Sequence, residues 1–176
     1  MSTADPWSDL RAHTAARLAL GRSGNSLPTD EVLRFSLAHA QARDAVQRPL
    51  DMTALATQLQ APGVRTFQVG SAAVDRTTFL LRPDLGRRLA ESSRTVLETE
   101  GGSQGVRPDL VLVVADGLSA PAIERNALPM LAALDRQAPE NWRVGPVVIA
   151  TQARVALGDE IGQALGAALV AMLIGE

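Results

Sequence analysis

The sequence contains no cysteine, no lysine and no tyrosine. The lack of cysteine excludes disulfides, thiolate catalysis and cysteine-ligated metals. All 17 basic residues are arginine, which excludes Schiff-base chemistry, pyridoxal attachment and the Walker-type phosphate loop, because each of these uses a lysine. The two histidines, His13 and His39, lie on different predicted helices and lack metal-ligand spacing. The chain is therefore poorly equipped to catalyse a reaction alone.

Long apolar runs and a strong net charge are also missing. No run of about 18 apolar residues occurs, so no transmembrane helix is predicted. The net charge of -2 gives no electrostatic reason to expect a nucleic acid. Residues 1–10 lack the apolar core of a signal peptide, and we therefore expect a cytosolic location. With 46% apolar residues, the 176-residue chain can bury the core of one ordinary domain, or of a small domain attached to a larger one.

The most informative segment is residues 145–176. An apolar run at 145–150, a short polar break, a helical segment and a second apolar run at 167–175 predict a strand–loop–helix–strand unit. Strands that are apolar on both faces belong to parallel sheets covered by helices, and such sheets bind ligands at the carboxyl ends of their strands. Val155 follows the first strand and Glu176 ends the second, so we expect both at a ligand-binding edge.

The first 63 residues show helical patterns without a strand between them. The predicted helices cover residues 8–20, 29–46 and 51–61, and the second has an apolar stripe at Leu33, Leu37 and Ala40. We therefore expect a small helical N-terminal domain at residues 1–63.

From residue 64 onward, strands and helices alternate. Strands are predicted at 64–69, 77–81 and 110–115, and a helix at 119–137. Another helix is expected to begin at Arg82, with a buried stripe of Leu85, Leu89 and Val96. This alternation predicts an α/β domain at residues 64–176, with a parallel sheet and right-handed crossovers.

Asp116 follows the strongest predicted strand, at a strand-to-helix turn. An acid there can point into the ligand crevice of a doubly wound sheet, or it can bind only the backbone amides of its own turn. The sequence leaves both interpretations open.

Two other patterns have a structural interpretation beside a functional one. Gly158, Gly162 and Gly166 share one helix face and lack the dinucleotide pattern G-x-G-x-x-G, which favours close packing of the helix on the sheet. The arginines at 82, 87 and 88 could bind phosphate or carboxylate, but local ion pairs on a solvated face are favoured.

Several ordered blocks resemble one family, the small (light) subunit of ethanolamine ammonia-lyase. They read TAARLALGR at 14–22 with GNSLPT at 24–29, AHAQARDAV at 38–46, LRPDLGRRL at 81–89, VADGLS at 114–119, and IGQALG at 161–166 leading to LIGE at 173–176. The resemblance covers nearly the whole chain from about Leu10. Long ordered blocks are together far more specific than any single short motif.

The resemblance implies a bacterial carbon–nitrogen lyase that converts ethanolamine to acetaldehyde and ammonia with adenosylcobalamin. In that family a TIM-barrel large subunit holds the substrate and the catalytic residues. The small subunit has a helical N-terminal part and a Rossmann-like domain that closes over the cobalamin. Val155 and Glu176 match the family's cobalamin contacts, and no catalytic residue or cobalt ligand is implied in this chain.

Two departures from the family affect these expectations. Family members continue beyond the block that ends at Glu176 and carry a further cobalamin contact, a cysteine, which this sequence lacks. We therefore expect the chain to be truncated at its C-terminus. Some relatives also have a longer N-terminal extension linked to bacterial microcompartments, and its absence favours plain cytosol.

The residues alone support a more general alternative. Without the resemblance, the chain is predicted to be a non-enzymatic module of Rossmann type that binds a small ligand or a partner protein. A nicotinamide dehydrogenase is less consistent with the sequence, because the phosphate-binding glycine pattern is missing.

Overall fold

A computed structural model describes residues 7–60, 64–102 and 107–176. Among these residues, four strands form one sheet in the order β1-β3-β2-β4, and every pair is parallel. The strands are β1 (Thr66–Gly70), β2 (Leu110–Ala115), β3 (Val144–Thr151) and β4 (Leu169–Ile174). The predicted α/β class with a parallel sheet is therefore confirmed.

Six α-helices lie in the described part of the chain, and none is long and apolar enough to cross a membrane. They are α1 (Thr29–Gln47), α2 (Met52–Leu59), α3 (Arg76–Leu81), α4 (Glu91–Gly102), α5 (Ala120–Gln137) and α6 (Leu157–Leu165). Short 3₁₀ helices cover Ser8–Ala12 and Leu85–Arg87.

Side-chain caps define where several helices begin. The Asp51 carboxylate accepts a hydrogen bond from the Ala54 amide at 2.9 Å, and the Ser119 hydroxyl accepts one from the Ala122 amide at 3.3 Å. Each cap satisfies an amide that has no partner within its own helix. The predicted starts of α2 and α5 are thus confirmed.

Helices cover both faces of the sheet, as the doubly apolar strands require. On one face Leu97 of α4 and Leu157, Ile161 and Leu165 of α6 pack on the sheet. On the other face Leu55, Ala56 and Leu59 of α2 and Ile123 and Ala127 of α5 pack on the sheet.

Residues 77–81 form part of helix α3, so the predicted strand there is wrong. The Asp75 carboxylate caps this helix by accepting a hydrogen bond from the Thr78 amide at 2.7 Å. The cap and the burial of Phe79 outweigh the β propensity of the two threonines and the phenylalanine.

The helix predicted from Arg82 begins only at Glu91. Before it, residues 88–90 are held against the end of β1, where the Ala72 amide donates to the Arg88 carbonyl at 2.8 Å and the Ala90 amide donates to the Gly70 carbonyl at 3.0 Å. This pairing keeps the segment out of a helix. Leu89 is buried as predicted, but Val96 is exposed and Leu97 takes its place in the core.

The first predicted helix, at residues 8–20, is also wrong. Only the 3₁₀ helix Ser8–Ala12 forms, and the Thr14 hydroxyl accepts a hydrogen bond from the Ala16 amide, which favours a turn over a continuing helix. Helix α1 forms at its predicted position. Its stripe is not buried, however, because Leu33 and Leu37 are exposed.

The chain divides into two compact units, Met1–Asp44 and Ala45–Glu176. Helix α2, which the sequence assigns to the N-terminal helical region, packs on the sheet within the second unit. The domain boundary expected at residue 63 stays a prediction, since residues 61–63 lie outside the described part of the chain.

Candidate functional site

The carboxyl ends of all four strands meet at one edge of the sheet. Strand β2 lies between β3 and β4, so the turn after β2 is flanked by the loop after β3 and by the residues after β4. Val155 lies in the first of these flanking segments and Glu176 in the second. The structure therefore has both residues at the edge where the sequence predicts a ligand, and their contact with a ligand stays a prediction.

Val155 projects from a loop whose backbone is held on both sides. The Arg154 amide donates to the Gly86 carbonyl at 2.8 Å, and the Gly158 amide donates to the Val155 carbonyl at 3.0 Å. The Val155 residue is nonetheless 61% exposed. An apolar side chain on a fixed and exposed loop can contact a ligand without prior rearrangement.

Glu176 follows a buried glycine at the end of β4. The Gly175 amide donates to the Ala115 carbonyl at 3.0 Å, and the Gly175 carbonyl accepts from the Leu118 amide at 2.7 Å. These bonds fix the backbone just before Glu176, which is itself exposed. Its carboxylate is thus available as a hydrogen-bond acceptor at the same edge as Val155.

Asp116 lies between these two segments and is only 3% exposed. Its carboxylate accepts hydrogen bonds from the Gln152 amide at 2.9 Å and from the Ala153 amide at 3.1 Å. The side chain therefore binds amides of the neighbouring β3–α6 loop, rather than only those of its own turn. Burial raises the pKa of the Asp116 carboxyl, while the two amides and Arg76 oppose that shift.

Arg76 connects Asp116 to two other segments. Its Nη1 lies 3.4 Å from Asp116 Oδ2 and 3.4 Å from Gln152 Oε1, and its Nε donates to the Val46 carbonyl at 2.5 Å. Burial lowers the pKa of the Arg76 guanidinium, and the Asp116 carboxylate opposes that shift.

Phe79 forms an apolar platform beside these groups. The guanidinium carbon of Arg76 lies 4.7 Å from the centre of its ring, and that of Arg154 lies 4.4 Å from it. Such contacts are favourable cation–π interactions. Within the described residues, Nη2 of Arg76 and Nε of Arg154 are buried without a hydrogen-bond partner.

Sequence reasoning missed this Arg76–Phe79–Arg154 cluster. The incorrect strand at 77–81 concealed the helical spacing that puts Arg76 and Phe79 on neighbouring positions of one face. The Asp75 cap signal was the feature that could have revealed the helix.

The other candidate motifs have structural roles. Arg82 forms a two-bond ion pair with Asp84, at 2.9 and 2.6 Å, which confirms the local-pair interpretation for this arginine. Among the described residues Arg87 and Arg88 form no ion pair, so for them the interpretation stays a prediction. A Cβ on Gly162 would lie 2.5 Å from Val170 Cγ2, which confirms close packing on β4 at this glycine, whereas a Cβ on Gly158 would have its closest neighbour at 3.5 Å. Gly166 is not on the packed helix face but ends α6 as a left-handed C-cap, with a φ of +64°. No group of three or more potential metal-ligating side chains occurs in the ranges that the structure describes.

A shallow groove of about 450 Å³ lies at the opposite, amino edge of the sheet. It is lined by Asp109, Asn141, Trp142, Arg143, Ala168 and Leu169. Arg143 and Asp109 form a two-bond ion pair across its wall, at 3.0 and 3.1 Å, and this pair lowers the pKa of Asp109 to about 2. The groove is remote from Val155 and Glu176. It lies at the amino ends of the strands, whereas these two residues follow the carboxyl ends of β3 and β4.

A family profile and individual relatives identify the same protein family. A profile of the ethanolamine ammonia-lyase light chain family matches residues 4–176. The chain is 52% identical over 173 residues to the ethanolamine ammonia-lyase small subunit of Pseudomonas fluorescens strain Pf0-1, covering 98% of this chain and 63% of that protein. It is 49% identical over 176 residues to the corresponding subunit of Azotobacter vinelandii strain DJ, covering 99% of this chain and 65% of that protein. The chain thus spans less than two thirds of the length of these relatives.

Proposed function

This chain belongs to the ethanolamine ammonia-lyase light chain family, and on that basis we propose that it acts as the small subunit of an adenosylcobalamin-dependent ethanolamine ammonia-lyase. The reaction converts ethanolamine to acetaldehyde and ammonia. The family match over residues 4–176 is the observation that carries the proposal. The lack of cysteine, lysine and tyrosine supports a role in binding rather than in the chemical steps.

The proposed cofactor site comprises Val155 and Glu176. Cobalamin has a large ring with apolar surface and a rim of amide side chains. An exposed valine suits the apolar surface, and an exposed carboxylate suits the amide N–H groups, so the residues at this edge fit the cofactor. When bound, adenosylcobalamin supplies the radical chemistry, while the residues of this chain hold and orient it.

The proposed partner is a TIM-barrel large subunit that holds ethanolamine, with the cobalamin at the interface between the two chains. Within the first compact unit, helix α1 exposes Val32, Leu33, Phe35 and Leu37. Several large apolar side chains exposed on one helix support contact with a partner protein. The proposed location is the cytoplasm, alone or within a bacterial microcompartment, and the sheet is proposed to belong to a Rossmann-like domain.

Acetaldehyde release from ethanolamine tests this function. The chain would be mixed with the large subunit of the same bacterium and adenosylcobalamin, with the large subunit alone as the control. Release that requires both chains supports the proposal. If the mixture forms a complex but releases no more acetaldehyde than the control, the proposed activity does not belong to this chain.

The cofactor contact has a separate test. We expect Glu176→Ala to weaken cobalamin retention in the assembled complex about tenfold, because a hydrogen bond to a charged group is lost. Glu140→Ala removes an exposed carboxylate from the loop between α5 and β3 and is the matched control. Subunit association should be unchanged in both variants, and equal retention in both would remove Glu176 from the site.

A further inference from the structure

The loop that carries Val155 is attached to the sheet by one buried side chain. Asp116, at the end of β2, accepts hydrogen bonds from two consecutive amides of this loop, those of Gln152 and Ala153. Gln152 has a φ of +54°, a conformation that non-glycine residues adopt only when their surroundings enforce it. The two hydrogen bonds stabilise this strained start of the loop.

The two residues between Gln152 and Val155 are also held in place. Ala153 is fully buried, and the Arg154 amide is bonded to the Gly86 carbonyl at 2.8 Å. Val155 is the first residue of the loop whose side chain is mostly exposed. Its position is therefore set by the contacts that hold residues 152–154.

Arg76 keeps the Asp116 carboxylate oriented. It contacts the same Oδ2 atom that accepts from Gln152, and it is itself held by the Val46 carbonyl and the Phe79 ring. Burial disfavours the charged form of the Asp116 carboxyl and raises its pKa, while the amides of Gln152 and Ala153 and the Arg76 guanidinium favour the charged form.

We propose that Asp116 is a positioning residue for cofactor binding, with Arg76 as its support. It fixes the β3–α6 loop so that Val155 meets cobalamin in one preset conformation. The inference rests on the proposed function, because Val155 matters only if this edge binds the cofactor. A merely structural role would make Asp116 affect stability but not the cofactor.

The test uses Asp116→Asn in the full chain, assembled with the large subunit. Asparagine keeps the size but replaces one acceptor oxygen by an NH₂ group that faces an amide donor. We expect the dissociation constant for adenosylcobalamin to rise about tenfold or more. We also expect faster hydrogen exchange at the Gln152 and Ala153 amides in the free chain.

Leu165→Ala is the matched control for stability. Leu165 is buried at the far end of α6, so its truncation destabilises the same domain without altering the loop after β3. This variant should keep the wild-type affinity for cobalamin at a temperature where both variants are folded. An equal loss of affinity in the two variants would reduce Asp116 to a structural role and overturn the inference.

The remaining outcomes separate this inference from the proposed function. If the wild-type complex binds cobalamin and Asp116→Asn binds it equally well, the positioning role is wrong while the proposed function stands. If exchange at Gln152 and Ala153 is unchanged in the variant, the attachment itself is refuted, whatever the cofactor does. A wild-type complex that binds no cobalamin overturns both.

Discussion

Gly117 and Gly175 meet backbone to backbone at the carboxyl edge of the sheet. A Cβ built on Gly117 would lie 2.3 Å from the Gly175 carbonyl oxygen, and a Cβ built on Gly175 would lie 2.1 Å from the Ser119 carbonyl oxygen. The turn after β2 and the end of β4 are therefore packed too closely for any side chain between them.

Gly175→Ala should destabilise the domain by about 2 kcal/mol or more, because the obstructing atoms belong to the backbone and can move only with the turn. Chemical unfolding monitored by circular dichroism measures this change. Gly70→Ala is the control, since its Cβ would meet only Thr151 Oγ1 at 3.8 Å. Similar stability of the two variants would show that the turn relaxes easily.

Gly162→Ala and Gly158→Ala form a matched pair on helix α6. The Cβ at Gly162 would lie 2.5 Å from Val170 Cγ2, on a β-branched side chain with little freedom, whereas the closest atom to a Cβ at Gly158 lies at 3.5 Å. We expect Gly162→Ala to lower the free energy of unfolding by about 1–3 kcal/mol. Gly158→Ala should leave it unchanged or raise it by up to about 1 kcal/mol, through better helix propensity. The reverse order would contradict the packing of α6 on β4.

Leu55→Ala tests whether α2 is part of the sheet domain. Leu55 is 2% exposed among side chains of the sheet and α5, so its truncation should lower the free energy of unfolding by about 2–5 kcal/mol. Leu33→Ala, on the exposed face of α1, should change it by less than about 0.5 kcal/mol in the free chain. A small effect of Leu55→Ala would mean that α2 does not pack on the sheet in solution.

The Asp109–Arg143 pair should make stability depend on acid pH. The pKa of Asp109 is about 2 in the folded protein, below its ordinary value of 3.8, mainly because Arg143 donates to the carboxylate. The unfolded chain therefore binds the proton more readily, so the stabilisation is present above about pH 4 and is lost as the pH falls toward 2. Urea unfolding of wild type and Asp109→Asn should give a stability difference that shrinks over this interval. A constant difference would show that the pair is not formed.

Much of the sheet domain could be predicted because its signals are local. Strands β2, β3 and β4 are continuous apolar runs, and α5 begins at a capping serine. The strand predicted at 77–81 was wrong because residue propensities favour a strand there and take no account of the helix cap that Asp75 provides. The helix predicted from Arg82 failed for a different reason: the partners of residues 88–90 are Gly70 and Ala72, which are distant in the sequence.

In the candidate site, too, features set by local sequence could be predicted, and contacts between distant residues could not. The positions of Val155 and Glu176 follow from counting residues past the end of a strand, so the sequence was sufficient to predict the edge on which they lie. The contact of Asp116 with Gln152 and Ala153 joins segments that only the folded sheet brings together. Patterns within a window of residues do not encode such contacts. The role of Arg76 was missed for this reason as well as through the incorrect strand at 77–81.

The strand order has a consequence for how the sheet forms. The central strands β2 and β3 are joined by a single helix, so their pairing closes the shortest chain loop, whereas β1 must find β3 across the longest. Loop-closure entropy grows with loop length, which favours a folding nucleus at β2–α5–β3 and late arrival of β1. Both edge strands have one neighbour, yet native-state hydrogen exchange should show β1 opening before β4.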